Sequence, residues 1–541
     1  MVVVWIDRND KMKETLPNHE SLSPRTRETS TRSFSSLSLL GLAGAKDNHD
    51  QLKEGAIGVE ESDPKIVVRD GKTDHMAKMR AGEHRNDSTH AREKNVPIKS
   101  VSSSLIALNQ KAQRDKKYRF RNLYGLLNLQ ALYESFASLR KNAAPGVDGV
   151  THEDYQQNLD TNLQNLLKRL KSKSYRAPHV KRSFIPKAGG KLRPLGLPTL
   201  EDKIVQHAAS RVLESIFEAD FSEHSYGYRK GKPGAKAVAE KLRNDLQCGT
   251  YTWVVEADIK SFFDEMDHAW LSKMLEQRID DKSFTGLIRK WLKAGVLDPK
   301  INQVENPEEG TPQGGIISPI LANIYLHFVL DLWIEQQAKR SKGRLQFMRY
   351  ADDVIVAFSK PYEARAYLNQ LPQRLAKFKL RLAEEKSSLV RFSKWDHKGS
   401  KKFTFLGFDF YWTPSFKNAK WAVLKMQTNK KKFRASLLEM KEWIKEHRSM
   451  PLKMILSSLR KKLRGYWNYY TVVTNVARLR QYQQAVFKII FKWLNRRSQR
   501  KSYTWGSFLT HWFGDWQIPQ PAKKMQWQAK QLQTEMSLAT Q

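Results

Sequence analysis

The sequence predicts an α+β fold followed by a separate, strongly basic helical module. Three observations carry that expectation. Short apolar stretches with strand alternation recur through the middle of the chain, and a long apolar stretch at helical spacing lies among them. After about Gln427 the strand signals give way to helical sequence rich in Lys and Arg. A chain of 541 residues is long enough for about three or four domains, and at 40% hydrophobic it can bury real cores.

The elements follow in order. Residues 1–105 are polar and charged, poor in aromatics and without a sustained hydrophobic period, and read as a mostly disordered tail. Ser183 to Gly196 reads as a hairpin of two short strands around a Gly189-Gly190 turn. Trp253 to Ile259 alternates as a strand, placing Val254, Glu256 and Asp258 on one face. Ser318-Pro319 opens a helix, with Ser as N-cap and Pro at the first helical position. Ile320, Leu321, Ile324, Tyr325, Phe328, Leu332 and Trp333 give that helix one broad apolar face. Leu345 to Phe358 reads as a second hairpin with Asp352-Asp353 between its strands. The last residues, 517–541, are polar again and read as a loosely held tail.

The formal net charge is +38, with an estimated pI of about 10.0. Such a charge opposes compaction and points to a polyanionic partner whose phosphates neutralise it. Residues 421–541 carry 24 Lys or Arg against 5 Asp or Glu, and 8 of the 15 Trp, so this module is the expected grip on nucleic acid. No long apolar span or lipidation signal supports a membrane partner. Cys248 is the only cysteine, which excludes an internal disulfide and every Cys-rich zinc site. Together with the lack of a secretory signal at the start, it suits an intracellular protein.

Nucleotidyl transfer needs a deprotonated hydroxyl, in-line attack and a neutralised leaving group, which two Mg²⁺ ions ~4 Å apart supply when a few carboxylates hold them. Asp352 and Asp353, adjacent at the mouth of a hydrophobic hairpin, suit that role, as does Asp258 at the end of an apolar strand. Each also has an ordinary reading: an acidic turn for the pair, a helix cap for Asp258. His268 and His327 have no ligand set near them in sequence and read as structural.

The chain resembles the group II intron-encoded reverse transcriptase/maturases, and the matching motifs are collinear. They are Pro145-Gly-Val-Asp-Gly149, Ile185-Pro-Lys187 through Arg193-Pro-Leu-Gly196, Phe221 to Arg229, and Asp258-Ile-Lys-Ser-Phe-Phe-Asp264. Gly310-Thr-Pro-Gln-Gly-Gly-Ile-Ile-Ser-Pro319, Tyr350-Ala-Asp-Asp353, Glu385-Lys386-Ser387 and Phe405-Leu-Gly-Phe408 follow. Leu459 to Tyr470, Phe491 to Arg500 and Ser502 to Trp505 resemble the family's thumb and maturase domain. The resemblance implies a right-hand polymerase: N-terminal extension and fingers at 106–250, palm at 251–425, thumb/maturase domain at 426–516.

It also implies roles. Asp258, Asp352 and Asp353 would bind two Mg²⁺; Lys187 and Arg193 would clamp the incoming triphosphate. Phe263 would stack under the sugar and reject a 2′-hydroxyl, with core packing as the other reading. Gln313 would touch nucleotide or template, and Gly314 and Gly315 would let backbone approach closely. Lys386 reads either as a general acid for pyrophosphate or as a surface lysine. Phe405, Leu406, Gly407 and Phe408 resemble the primer grip. The implied activity is RNA-directed DNA synthesis from dNTPs on a primed RNA template, with intron RNA and target DNA as further partners, no zinc, and a cytoplasmic, nucleoid-associated setting of bacterial type. Two alternatives are a splicing-only maturase with a non-catalytic polymerase scaffold and another reverse transcriptase lineage. The family's cysteine-bearing endonuclease is expected to be lacking.

Because many phosphates are neutralised, RNA binding should weaken steeply as salt is raised. A nearly flat salt dependence in a filter-binding titration would contradict the electrostatic reading.

Overall fold

The computed structural model describes residues 101–521 except 187–191, 306–307, 312, 416–417, 419, 498–499 and 501. Lys187 and the Gly189-Gly190 turn therefore lie outside the described residues, as does the expected tail up to residue 100. The chain opens with α1 (Val101–Arg114), α2 (Leu129–Ser138), α3 (His152–Gln157) and α4 (Leu159–Lys171), so residues 101–105, expected in the tail, are helical. The hairpin β1 (Val180–Pro186) and β2 (Leu192–Leu197) leads into α5 (Leu200–Phe217), whose N-terminus Thr199 caps through Asp202 N. Next come β3 (Ser225–Tyr226), α6 (Ala235–Cys248), β4 (Trp253–Ala257), α7 (His268–Glu276), α8 (Lys282–Leu292), β5 (Val296–Asp298) and β6 (Gln303–Glu305). Then α9 (Ser318–Leu326), a π-helical turn (His327–Asp331) and α10 (Leu332–Arg340) precede β7 (Leu345–Tyr350) and β8 (Asp353–Phe358). The remainder is α11 (Pro361–Lys377), β9 (Ser388–Arg391), β10 (Phe403–Phe405), β11 (Phe408–Pro414), β12 (Ala422–Thr428) and helices α12 (Lys430–His447), α13 (Leu452–Tyr470), α14 (Val476–Leu494) and α15 (Trp505–Phe513).

Among the described residues three sheets form. The central one has strand order β3-β7-β8-β4-β9, with β8 antiparallel to both neighbours and β3 parallel to β7. Alternation divides its residues between two cores. Val255, Phe347, Val354, Val356 and Phe358 enter one, packed by α5, α7, α9 and α11; Val254, Met348, Ile355 and Ala357 enter the other, shared with β10 to β12. Burial of both faces explains the unbroken apolar run Val354 to Phe358. A second sheet, β2-β1-β5-β6, carries the first hairpin, and a third comprises β10, β11 and β12.

The strand ending near Asp258 is shorter than expected. It stops at Ala257, so the alternation holds for Val254 and Glu256 while Asp258 starts the loop beyond. The helix after the Gly-rich loop also differs. Ile317 stands at the N-cap and Ser318 is already helical, its hydroxyl sharing a 2.8 Å hydrogen bond with that of Thr311. Rather than one apolar face, nearly every residue from Ser318 to His327 is buried, because the helix passes through the middle of the core.

Such a central helix cannot carry polar groups without partners. Asn323 donates Nδ2 to Gly227 O at 3.0 Å and accepts from Arg349 Nη1 at 3.1 Å. Asp331, in the π turn, accepts from Arg349 Nε at 2.7 Å and Nη2 at 2.6 Å; neither side chain of this pair reaches solvent. The guanidinium holds the Asp331 carboxyl at about 2, against the desolvation that would raise it.

The C-terminal helices have a core of their own, containing Trp443, Trp467, Trp493, Trp512 and Trp516. Most of the module's described Trp rings hold the helices together, while Trp421 and Trp505 are exposed. Ile518 is 4% exposed and fills the same core, while Trp467 Nε1 donates to Pro519 O at 2.9 Å. The polar tail expected from 517 thus begins no earlier than the end of the described residues. Among the described residues no helix is long and apolar enough to cross a membrane.

Removing one partner of a buried ion pair leaves the other charge stranded. Arg349→Met or Asp331→Leu alone should destabilise by about 3–5 kcal/mol in urea unfolding, and the double replacement by much less than the sum. Additive losses would show that the two side chains do not act as a pair.

Candidate active site

The turn from β7 to β8 is two residues long, with Tyr350 paired to Asp353 across it. Ala351 takes a left-handed backbone, φ 56°, which costs a residue with a Cβ about 1–3 kcal/mol unless the surroundings impose it. They do so from two sides. Ala351 N donates to Tyr226 O at 3.1 Å, and Arg349 Nη1 donates to Ala351 O at 3.0 Å. Gly227, φ 83°, presses against the same turn: a Cβ there would stand 2.7 Å from Ala351 N. The buried ion pair therefore reaches the surface through a single peptide, and the next two residues are Asp352 and Asp353.

Asp258 comes to the same mouth from the neighbouring strand, since β4 lies beside β8 with Ala257 opposite Val354. Its backbone is fixed on both sides: Ala383 N donates to Asp258 O at 2.8 Å, and Ile259 bridges Leu382. Asp353 is crowded. Burial first, then the charges of Asp352 and Asp258, push its carboxyl up to about 6. Lys386 donates Nζ to Asp258 Oδ2 at 2.6 Å, and that hydrogen bond raises its own proton affinity. It is thus a surface lysine, 58% exposed, that is engaged with a site carboxylate.

The donors are all carboxylate oxygens, the chemistry a hard divalent cation prefers, and a positive group already sits against one of them. Among the described residues no three carboxylate, imidazole or thiol side chains close on one point at ligand distance, so the aspartates share a mouth without forming a closed cage. That fits Mg²⁺, which takes one or two carboxylates and completes its shell with water and phosphate.

The segment that follows Asp258 is flanked in turn by the loop that carries Gly310 and Gly314. Gly310, φ 84°, lies against the backbone of Phe263 and Asp264, where a Cβ would meet Asp264 O at 2.7 Å. Gly314, φ 120°, lies against β2, where a Cβ would meet Gly196 O at 2.5 Å; Gly196 N also donates to Gln313 O at 2.7 Å. Gly314, expected with Gly315 to let backbone approach substrate, is packed against the first hairpin, and Gly310 against the segment that follows the aspartate strand. Gln313 Nε2 donates to Asp264 Oδ1 at 3.3 Å, and Phe263 is half-buried with its ring 5.3 Å from that of Phe262. Arg193 is exposed on β2, and its charge is felt by Asp264.

Phe405, Leu406, Gly407 and Phe408 form the two-residue turn between β10 and β11, with Leu406 and Gly407 both left-handed at φ 48° and 80°. Phe405, Leu406 and Phe408 are at most 9% exposed, so their side chains are core and only the turn backbone can meet a primer. Tyr469 Oη donates to Leu406 O at 2.8 Å and Asn429 N to Gly407 O at 3.0 Å, tying the turn to the C-terminal helices. His268 and His327 stand apart from the aspartates as expected: His268 Nε2 lies 2.6 Å from Gly310 O, and His327 is buried against Phe221 and Phe328. Sequence reasoning missed Asn323, Asp331 and Arg349. Their signal was polarity inside apolar runs, an Asn in the middle of α9 and an Arg in β7.

Comparison with known proteins agrees with this geometry. Residues 185–410 match the family model for reverse transcriptase (RNA-dependent DNA polymerase), and residues 431–512 match that for the group II intron maturase-specific domain. Protein YkfC of Escherichia coli is 40% identical over 202 residues, 37% of this chain and 52% of that protein. Group II intron-encoded protein LtrA of Lactococcus lactis is 26% identical over 509 residues, 79% of this chain and 83% of that protein. The chain thus spans about half the length of the first relative and most of the second.

Asp353 has a folded-state affinity for protons above its unfolded one, so its contribution disfavours the fold as pH rises from about 4 to about 6 and stays unfavourable above. Asp353→Asn should therefore stabilise the metal-free protein by roughly 3 kcal/mol at pH 7.5 and leave it unchanged below pH 4. Thermal melts at the two pH values check this; equal melting temperatures at pH 7.5 would contradict the crowding.

Proposed function

Because the chain belongs to the family of group II intron-encoded reverse transcriptases and maturases, we propose that it copies intron RNA into DNA by two-metal nucleotidyl transfer and assists splicing by binding that RNA. The observation that supports the chemistry best is the arrangement of Asp258, Asp352 and Asp353. Three carboxylates at the ends of two adjacent strands share one mouth, where burial and the charges of Asp352 and Asp258 raise the proton affinity of Asp353 at a cost to the fold. A protein that only binds RNA has no use for that.

Asp258, Asp352 and Asp353 would hold the Mg²⁺ ions. Bound there, Mg²⁺ supplies the Lewis acidity that activates a primer 3′-hydroxyl and neutralises the leaving pyrophosphate. Arg193 offers its fork of donors to the triphosphate, with Lys187 as the second clamp. Phe263, half-buried beside the aspartate strand, packs against the sugar and excludes a 2′-hydroxyl. Gln313 and Gly314 line the nucleotide side, positioned by their contacts with Asp264 and Gly196. The backbone at Leu406 and Gly407 steadies the primer, since the neighbouring side chains are buried.

The C-terminal module then holds structured RNA through its basic surface, and target DNA is engaged where the copied strand is primed. With nucleic acids as partners, its work lies at the nucleoid of a bacterial-type cytoplasm.

Asp352→Asn removes one charge from the mouth without changing side-chain size. Primer extension should fall by at least ~10³-fold, while intron RNA affinity stays within about twofold of wild type. cDNA synthesis that survives this change would remove the aspartates from the mechanism; equal inactivity of wild type and variant with tight RNA binding would favour a non-catalytic scaffold.

A further inference from the structure

The segment leading out of β3 holds a conformation that its own sequence disfavours. Gly227 and Tyr228 are both left-handed, at φ 83° and 54°. For Gly this is free; for a bulky Tyr it is an outlier. Burial does not offset it, because Tyr228 is 43% exposed.

The surroundings nevertheless fix it firmly. On one side Gly227 O accepts from Asn323 Nδ2 at 3.0 Å. On the other, the Arg229 guanidinium, its side chain 2% exposed, pairs with Glu218 at 2.7 Å and also donates to Ser222 O and Ser225 O. Conformations held so tightly against local preference concentrate where a side chain must be aimed.

The register shows where this one is aimed. β3 runs parallel to β7 with Tyr226 opposite Tyr350, and Gly227 touches Ala351 N, so the next residue on each chain is Tyr228 on one side and Asp352 on the other. The charges that act on the phenol are those of Asp352, Asp353 and, from the first hairpin, Arg193. Tyr228 thus lies beside the aspartate turn and within reach of the charges of both Arg193 and the carboxylates.

We propose that the Tyr228 hydroxyl contacts the sugar–phosphate part of the incoming deoxynucleoside triphosphate, making Tyr228 a substrate-binding residue of the pocket. This rests on the polymerase reading above. A neutral phenol suits the position because it donates to a phosphate or sugar oxygen without adding a cation that would compete for the aspartates.

The test uses the full chain on a primed RNA template, with Tyr228→Phe and Tyr228→Asn. Asn tolerates the left-handed backbone, so the second variant removes the phenol while keeping the local conformation. The dNTP dissociation constant on a chain-terminated primer, where no chemistry is required, should rise about 3- to 10-fold for Phe and more than 10-fold for Asn. In primer extension the KM for dNTP should rise in parallel, with kcat within threefold and primer–template affinity within twofold. Dissociation constants within twofold of wild type for both variants would overturn the contact while leaving the polymerase reading intact. Wild-type protein that binds dNTP but does not extend would overturn the polymerase reading and still report on Tyr228. No dNTP binding by wild type would overturn both.

Discussion

Arg349 and Asp331 form an ion pair in which neither side chain reaches water, and the mouth of the site is built outward from it. Desolvating two charges is expensive, and the attraction between them offsets that only when every remaining donor and acceptor is engaged. Here both Asp331 oxygens accept from the guanidinium, and Nη1 is shared between Asn323 Oδ1 and Ala351 O. One guanidinium thereby connects the helical turn behind the central sheet, the strand β7 and the backbone of the aspartate turn. Asn323 extends the connection to Gly227. The left-handed Ala351 and the left-handed Gly227-Tyr228 pair, which share one contact, are held by the same small set of buried polar groups.

In the proposed reaction that rigidity has a chemical purpose. Charged groups act best when they need not reorganise during reaction, and the carboxylates here repel one another until a cation joins them. A loosely held turn would relieve the repulsion by moving apart; a turn fixed from behind cannot. Close backbone approaches at Gly310 and Gly314 fix their flanking loop in the same way, and the Leu406-Gly407 turn does so for the junction with the C-terminal helices. In the proposed reaction the mobile partner is the substrate, whose phosphates would complete what the protein leaves open.

Much of this was legible in the sequence. The two hairpins were, because alternation and turn residues are local signals. Asp258, Asp352 and Asp353 come to one mouth, a grouping that the family resemblance implied while their own sequence context left an acidic turn and a helix cap open. What was not legible depends on contacts between distant segments. The full burial of α9 follows from its passage through the core, and its own spacing cannot distinguish one covered face from two. β5 and β6 are three residues each, too short for alternation, and their place beside β1 is set by tertiary packing. Gly314 reads equally as room for a ligand or for Gly196. The Trp residues of the C-terminal module mark it as a grip on nucleic acid by composition, but which of them close its small helical core is settled only by packing.

The most direct measurement is extension of a DNA primer on a heteropolymeric RNA template with dNTPs and Mg²⁺, followed by sequencing of the product. The account predicts DNA complementary to the template, made by the unaltered chain and dependent on the divalent cation. Intron RNA bound tightly with no templated product under any divalent cation would contradict it, and would make the aspartate mouth part of a scaffold.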